Sequence, residues 1–456
     1  MNSRILVFAV VGLTLLCVTD LHAEGAKNFD LSARAAALGG AFTARADDAS
    51  AIFYNPAAIV FLEGIRIKTN LLVSNLTWSA YDPATDLTHK SSPFRLQGSF
   101  FLTWRATKWL GFGLGGFNPY QAASDWPWSW PGVTTCLRDS LSAYYIRPAI
   151  SVRLAKFLSI GIGLDLVIAR LRLDHVQRYG LFGYSDAYGI FLENRYNLKG
   201  KGNGYVLSSL LNFENKLRIG IRFHQKVTTD LSGDIWTLYW RDNVNSSTAF
   251  KRFHAEDYLS TPITVSQFTP AVSQFKTPSE LAAGLMWKPM KKFLIHFEAE
   301  QIKWKEVGDL EVEVTDPSYF LDAEDPTSFG TRYHPDSKFI STLKRRDTLN
   351  LRAGLEYRLS PTFALRAGFA SIQGAAADNM ISPVAVSLDR RVISFGVGYE
   401  GPLFSLWSSE KISELSLDFY LQYVMGLAQS SALPGMGVVF NSDHLVIGLG
   451  VGLNIL

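Results

Sequence analysis

The chain has 456 residues, 47% of them hydrophobic and 13% aromatic, and its 44 basic and 41 acidic side chains leave a formal charge of +3. So small a charge on so long a chain, with no Lys/Arg-rich run, speaks against a nucleic-acid partner. Of its two cysteines only Cys136 lies beyond the first 23 residues, so no intramolecular disulfide is expected.

Met1 to Ala23 carries Arg4, an apolar run from Ile5 to Val18, and a small residue at Ala23, the pattern of a secretory signal peptide. Leu16 ahead of Cys17 is not the small residue that a lipoprotein site wants, so cleavage after Ala23 is preferred over lipidation. Loss of Arg4 and Asp20 with the leader leaves the charge unchanged. Next comes Leu31 to Val60, rich in Ala and Gly. It offers too little apolar area to stand as a domain and has to be held inside something else.

Beyond it the chain alternates. In Ile412 to Leu427, Leu415, Leu417, Phe419, Leu421 and Tyr423 share one face, and Glu414, Ser416, Asp418, Tyr420 and Gln422 the other. Thr348 to Leu359 repeats the pattern. An exported, apolar chain with no run of about 18 apolar residues beyond its leader is explained by a transmembrane antiparallel β-barrel, which satisfies its backbone by closure. About fourteen strands are predicted, near 64–82, 91–105, 109–118, 140–154, 157–174, 195–213, 216–235, 276–288, 292–315, 344–359, 361–372, 387–400, 412–427 and 441–456. Short and long connections take turns between them, as periplasmic turns and extracellular loops do. Only Gly401 to Lys411 is too long for a turn.

Several stretches have a specific likeness. Arg34-Ala35-Ala36, Gly39-Gly40-Ala41, Ala46 to Ser50 and Asn55-Pro56-Ala57 resemble the N-terminal hatch of the FadL family, outer-membrane transporters of long-chain fatty acids and other hydrophobic compounds. Gly113 to Tyr120 with Asp125-Trp126, Lys276-Thr277-Pro278, Arg352 to Tyr357 and Leu365 to Phe369 extend the resemblance over nearly the whole chain. The resemblance implies a signal peptide at 1–23, a hatch at 24–62 plugging the lumen, and a barrel over 63–456. It implies passive, ligand-gated diffusion of a hydrophobic molecule, with lateral exit where the third strand bends. Membrane lipid and lipopolysaccharide are the expected surroundings, a monomer the expected state, and no cofactor is expected. Leu456 stands where such barrels commonly end in an aromatic residue, and Gln121 where a glycine is expected.

Candidate ligand contacts are Phe53 and Tyr54 ahead of Asn55, the alternating Trp126, Trp128 and Trp130, and Phe182, Tyr184, Tyr188 and Phe191 in the third long loop. The tryptophans, read as exposed, suit either a ligand or the membrane interface. Arg170 and Arg172 are candidates for meeting a carboxylate, although parity from Asp165 turns both toward lipid, so that either a bulge intervenes or they sit above the bilayer facing lipid headgroups. Gly113, Leu114, Gly115, Gly116 and Pro119 form the candidate lateral gate, because glycine weakens a strand and proline cannot donate to its ladder. Valine at 113 and 115 is expected to seal it; the other reading is that the glycines make room for the hatch.

The period-two glycines at 111–115, 200–204 and 448–452 lack the following helix of a phosphate loop. Asp47-Asp48 has no further ligand at metal spacing, and His296 and His444 belong to no nucleophile motif, so no catalytic or metal residue is assigned. A lipid-modifying enzyme of the outer membrane and a non-selective porin remain the alternatives.

Overall fold

The computed structural model describes residues 27–75, 77–180, 189–214, 216–241, 263–315, 338–341, 344–377, 380–384, 386–402, 414–431 and 437–455. The leader at 1–23 lies outside them, as do Phe182, Tyr184 and Tyr188. The strands are β1 (Ile65–Asn75), β2 (Phe94–Arg105), β3 (Leu110–Asp125), β4 (Arg138–Ala155), β5 (Leu158–Gly180), β6 (Gly189–Phe213), β7 (Leu217–His224, resuming as Val227–Arg241), β8 (Ile263–Thr277, resuming as Glu280–Met290), β9 (Phe293–Ile302, resuming as Leu310–Val314), β10 (Thr348–Arg358), β11 (Phe363–Ile372), β12 (Arg390–Gly401), β13 (Glu414–Gly426) and β14 (Val439–Ile455).

Each pairs antiparallel with the next. β14 returns to β1, with Ile65 opposite Ile455. The result is a closed barrel of fourteen strands. Closure follows from the sequence pattern: Ile160, Ile162, Leu164, Leu166 and Ile168 on β5, or Leu445, Ile447 and Leu449 on β14, are exposed outward, while their neighbours point into the lumen. No helix among the described residues is long and apolar enough to cross a membrane.

The strand limits differ from the sequence expectation where the ladder is interrupted. β3 continues to Asp125, because a register shift between Phe117 and Tyr120 carries it past Pro119. β8 begins at Ile263 and breaks at Pro278, which has no N–H to give. β9 breaks at the short 3₁₀ turn Trp304–Glu306. Trp78–Asp82, expected as part of the first strand, forms a ribbon with Leu87–Ser91 that pairs with the outer end of β14, Trp78 opposite Ser442.

Lys27 to Leu62 packs against the inner wall, nearly all of it buried. Its elements are α1 (Ala33–Ala36), α2 (Ala51–Tyr54) and the 3₁₀ helix Pro56–Phe61. Helices this short are not stable alone, so the wall holds them. After α1 the chain reverses through Gly39 and Gly40, with φ of 66° and 82°. A Cβ on Gly39 would also lie 2.8 Å from the Phe369 carbonyl oxygen of β11.

Candidate functional site

The Asn-Pro-Ala motif is where segment and wall are knotted. Asn55 caps the 3₁₀ helix, its Oδ1 accepting from Ala57 N at 3.1 Å, and Pro56 fills the first helical position, where no donor is needed. Asn55 Nδ2 donates to Thr43 O at 2.8 Å and to Ser209 O of β6 at 3.1 Å. Ala57 N donates to Ser208 Oγ at 2.9 Å, and the Ala57 carbonyl accepts from Ser151 Oγ (2.9 Å) and Ser159 Oγ (2.6 Å). Backbone meets backbone here, which explains the small residues. A Cβ on Gly161 would fall 2.4 Å from Ala57 N, and one on Gly220 would fall 2.4 Å from Thr43 O. Gly220→Val is expected to unseat the segment, seen as raised protease sensitivity of residues 27–62 in an otherwise heat-modifiable barrel.

Around this segment runs a belt of inward ion pairs. Arg147 grips Asp165 through two bonds, 2.6 and 3.0 Å, and His224 Nε2 stands 2.9 Å from the same carboxylate. Arg222 and Arg352 hold Glu300 at 2.7 and 2.6 Å; Arg352 also holds Glu298 at 2.7 Å. Arg366 bridges Glu356 (2.7 Å) and Asp418 (2.6 Å), and Lys68 completes the run on Asp418. The segment plugs into the belt: Glu298 Oε2 accepts from Phe42 N (2.9 Å) and Thr43 N (2.8 Å). Arg45 pairs with Glu356 at 2.8 Å, and Lys27 with Glu280 and Glu300 at 2.6 and 2.7 Å. Glu298→Ala strands two buried N–H groups and leaves Arg352 only its Glu300 pairing of the two described, a loss of about 3–5 kcal/mol. Hydrogen exchange at Phe42 and Thr43 is therefore expected to quicken about a hundredfold or more.

Beside and above the belt the lumen turns apolar. Phe53 meets Tyr54 edge-on at 4.8 Å and Phe117 at 5.2 Å; Phe117 lies 6.0 Å from Tyr145. Tyr54 donates to Phe29 O at 2.7 Å, and Tyr120 to Glu280. The inner faces of β5 to β9 add buried Val167, Leu171, Leu198, Ile235, Phe275 and Val312.

The wall itself opens beside β3. Its ladder with β2 ends at Phe100 opposite Gly116, although β2 stays paired with β1 up to Phe94. Beyond Gly116, β3 pairs with β4 alone. The Gln97 side chain spans the break, its Nε2 donating to Asn118 O at 2.5 Å, while from the lumen the backbone N–H of Asn28 donates to Pro119 O at 2.8 Å. Leu114 faces outward, 43% exposed. A Cβ on Gly113 would lie 2.8 Å from Ile52 Cγ1, and one on Gly115 would lie 3.0 Å from Ile52 Cγ2, whereas Gly116 faces open space. Valine at 113 or 115 would thus strike Ile52 rather than simply straighten the wall.

Other sequence candidates lie elsewhere. Trp126 and Trp130 are buried, stacked at 4.6 Å and capped by Phe440 of β14 at 5.9 and 6.4 Å. They are not exposed, because the loop folds its own aromatics inward; Trp128, half-buried, packs toward Leu137 and Val176. Arg170 and Arg172 project outward with the apolar band, since no bulge breaks the β5–β6 register, and do not line the lumen. Phe191 contributes backbone to β6, opposite Trp240. Sequence reasoning missed Arg345, whose guanidinium sits 5.2 Å over the Trp304 ring, itself 6.4 Å from Tyr120. Its buried Nε has no hydrogen-bond partner. Its strand is a single bridge to Ala376, too short for periodicity to reveal.

The comparisons with known proteins agree with this architecture. A crystal structure of a Pseudomonas aeruginosa FadL homologue superposes with a TM-score of 0.71 at 15% identity, over 96% of this chain and all (100%) of that one. The Pseudomonas putida toluene transporter TodX superposes at 0.63, 14% identity, over 96% and 99%, and the Ralstonia pickettii toluene transporter TbuX at 0.62, 15% identity, over 93% and 99%. At that identity they show the shared fold. A Neisseria meningitidis serogroup B protein, NMB0088, named provisionally as an outer membrane protein, is 24% identical over 258 residues, 48% of this chain. The match spans about half the length of that curated relative, 53%. The family model described as outer membrane protein transport protein (OMPP1/FadL/TodX) matches residues 19–428. With its closed barrel, the chain belongs to the OMPP1/FadL/TodX family of outer-membrane transport proteins.

Proposed function

We propose that the protein passes hydrophobic small molecules, such as aromatic hydrocarbons or long-chain fatty acids, from the cell surface into the outer membrane by passive diffusion without chemistry. Residues 27–62 act as the hatch, and the ligand leaves sideways between β2 and β3. The observation that carries the reading is the ladder ending at Phe100 and Gly116 in a barrel whose inner wall buries residues 27–62. An apolar molecule gains from that route, since each CH₂ kept out of water is worth about 0.8 kcal/mol. The names of the structural neighbours, toluene transporters and a monoaromatic hydrocarbon channel, support the class of ligand.

The protein is expected in the outer-membrane fraction, shifting in gel mobility only after boiling; recovery as a detergent-free soluble protein would contradict a barrel. Liposomes carrying it should take up toluene and oleate faster than empty ones, with apolar molecules found in the purified protein by mass spectrometry. Flux of hydrated sugars at a comparable rate would favour the porin reading instead. Half-buried Arg345, over the Trp304 ring, is the cation we assign to meet a carboxylate. Arg345→Gln is expected to slow oleate severalfold and leave toluene unchanged; equal loss of both would remove Arg345 from this role.

A further inference from the structure

The outer wall of β5 and β6 carries cations that the transport path does not use. From Leu158 to Ile168 every second side chain of β5 is apolar and outward, matching the about 9–11 residues that a tilted strand spends in a bilayer. The next two outward positions are Arg170 and Arg172, both exposed. On β6, Lys199 stands directly opposite Arg170, and Lys201 opposite Ile168, one step down the diagonal; both are exposed. On the other side Arg170 faces Ser142 of β4, and Arg172 faces Ser140.

Like charges directly opposite on neighbouring strands destabilise a sheet. One row higher the same wall avoids this, setting Asp174 between Arg138 and Arg195 at 3.8 and 4.0 Å. Among the described residues β7 brings acid beside the cluster: Asp230 lies opposite Lys201 and accepts from Gln274 at 2.9 Å, and Asp234 lies opposite Asn197. The Arg170 and Lys199 pair is flanked by Ser142 and Ser232.

We infer that Arg170, Arg172, Lys199 and Lys201 form a seat for the phosphate groups of the outer-leaflet lipid, the phosphorylated headgroup of lipopolysaccharide. Height, charge and shape agree. The cations begin where the apolar band ends, guanidinium forks match phosphate oxygens two at a time, and Leu164, Leu166 and Ile168 below offer a surface for acyl chains.

The test uses the full mature chain, stripped of lipid in detergent, with binding of bisphosphorylated lipid A followed by native mass spectrometry. The parent is expected to bind it about tenfold more tightly than dephosphorylated lipid A. That preference should fade as salt rises. R170Q/R172Q/K199Q/K201Q is expected to lose the preference, and the charge-matched K216Q/K288Q/K291Q/K292Q, altered at the short-turn end, to keep it. Equal binding of the two lipids, an unchanged quadruple variant, equal loss in the control, or full competition by an equal concentration of inorganic phosphate would each overturn the assignment. Should the quadruple variant fail to insert, R170Q/R172Q and K199Q/K201Q are each expected to bind severalfold more weakly, and parental binding by both would also overturn it.

Discussion

Removing Leu31 to Pro56 is expected to leave a barrel that inserts and conducts ions at a rate higher by on the order of tenfold or more, since that segment, buried against the inner wall, is the proposed plug of a lumen of this strand number. The barrel should survive because its ladder closes on itself from β1 to β14 without help from the segment. What is lost is the packing of Thr43 against Gly220 and the backbone bonds of Phe42 and Thr43 to Glu298. The exposed belt should discriminate little between ions, because Lys68, Arg147, Arg222, Arg352 and Arg366, with neighbouring inward Arg218, which donates to Arg45 O, balance Asp165, Glu280, Glu298, Glu300, Glu356 and Asp418 one for one. Planar-bilayer recordings decide it. A deletion variant that inserts and conducts no more than the parent would show that the segment is not the plug.

Gly116→Trp is expected to cut uptake of an apolar substrate about tenfold or more, by placing a wide side chain at the mouth of the break between β2 and β3. The position is chosen because a Cβ there touches nothing within 4 Å, so Ile52 and the seat of the segment are left alone. Gly113→Val is the useful contrast. Its Cβ meets Ile52 Cγ1 at 2.8 Å, so it should loosen the segment and raise leak conductance instead of sealing the wall. Parental uptake by an inserted Gly116→Trp protein, with the surface loops still binding ligand, would rule out the lateral route.

Much of the barrel was legible because a strand between lipid and a polar lumen needs the period-two pattern, which Leu415 to Tyr423 and Thr348 to Leu359 display openly. The breaks were not. Pro119 reads as a strand end, yet a register shift carries β3 past it, and that depends on β4 rather than on local sequence. Parity correctly turned Arg170 and Arg172 outward. It gave no warning that Trp126 and Trp130 would be covered, since their cover, Phe440, lies far along the chain. The ion-pair belt was half visible: inward Arg352, Glu356 and Asp418 could be listed strand by strand, but their pairing across neighbouring strands depends on register.

The wall grips residues 27–62 largely by their main chain. Phe42 N, Thr43 N, Arg45 O, Ile52 O, Phe53 O and both polar atoms of Ala57 are among the groups that strand side chains reach. A peptide recognised this way is read by its path and hardly by its letters. Apart from those that bond to the wall, such as Lys27, Arg45 and Asn55, its side chains are therefore free to drift over evolutionary time so long as they stay small, whereas the strand glycines and serines that touch its backbone are not. Segments exchanged between distant relatives should still dock, which makes this interior a replaceable cartridge for engineering what the barrel admits.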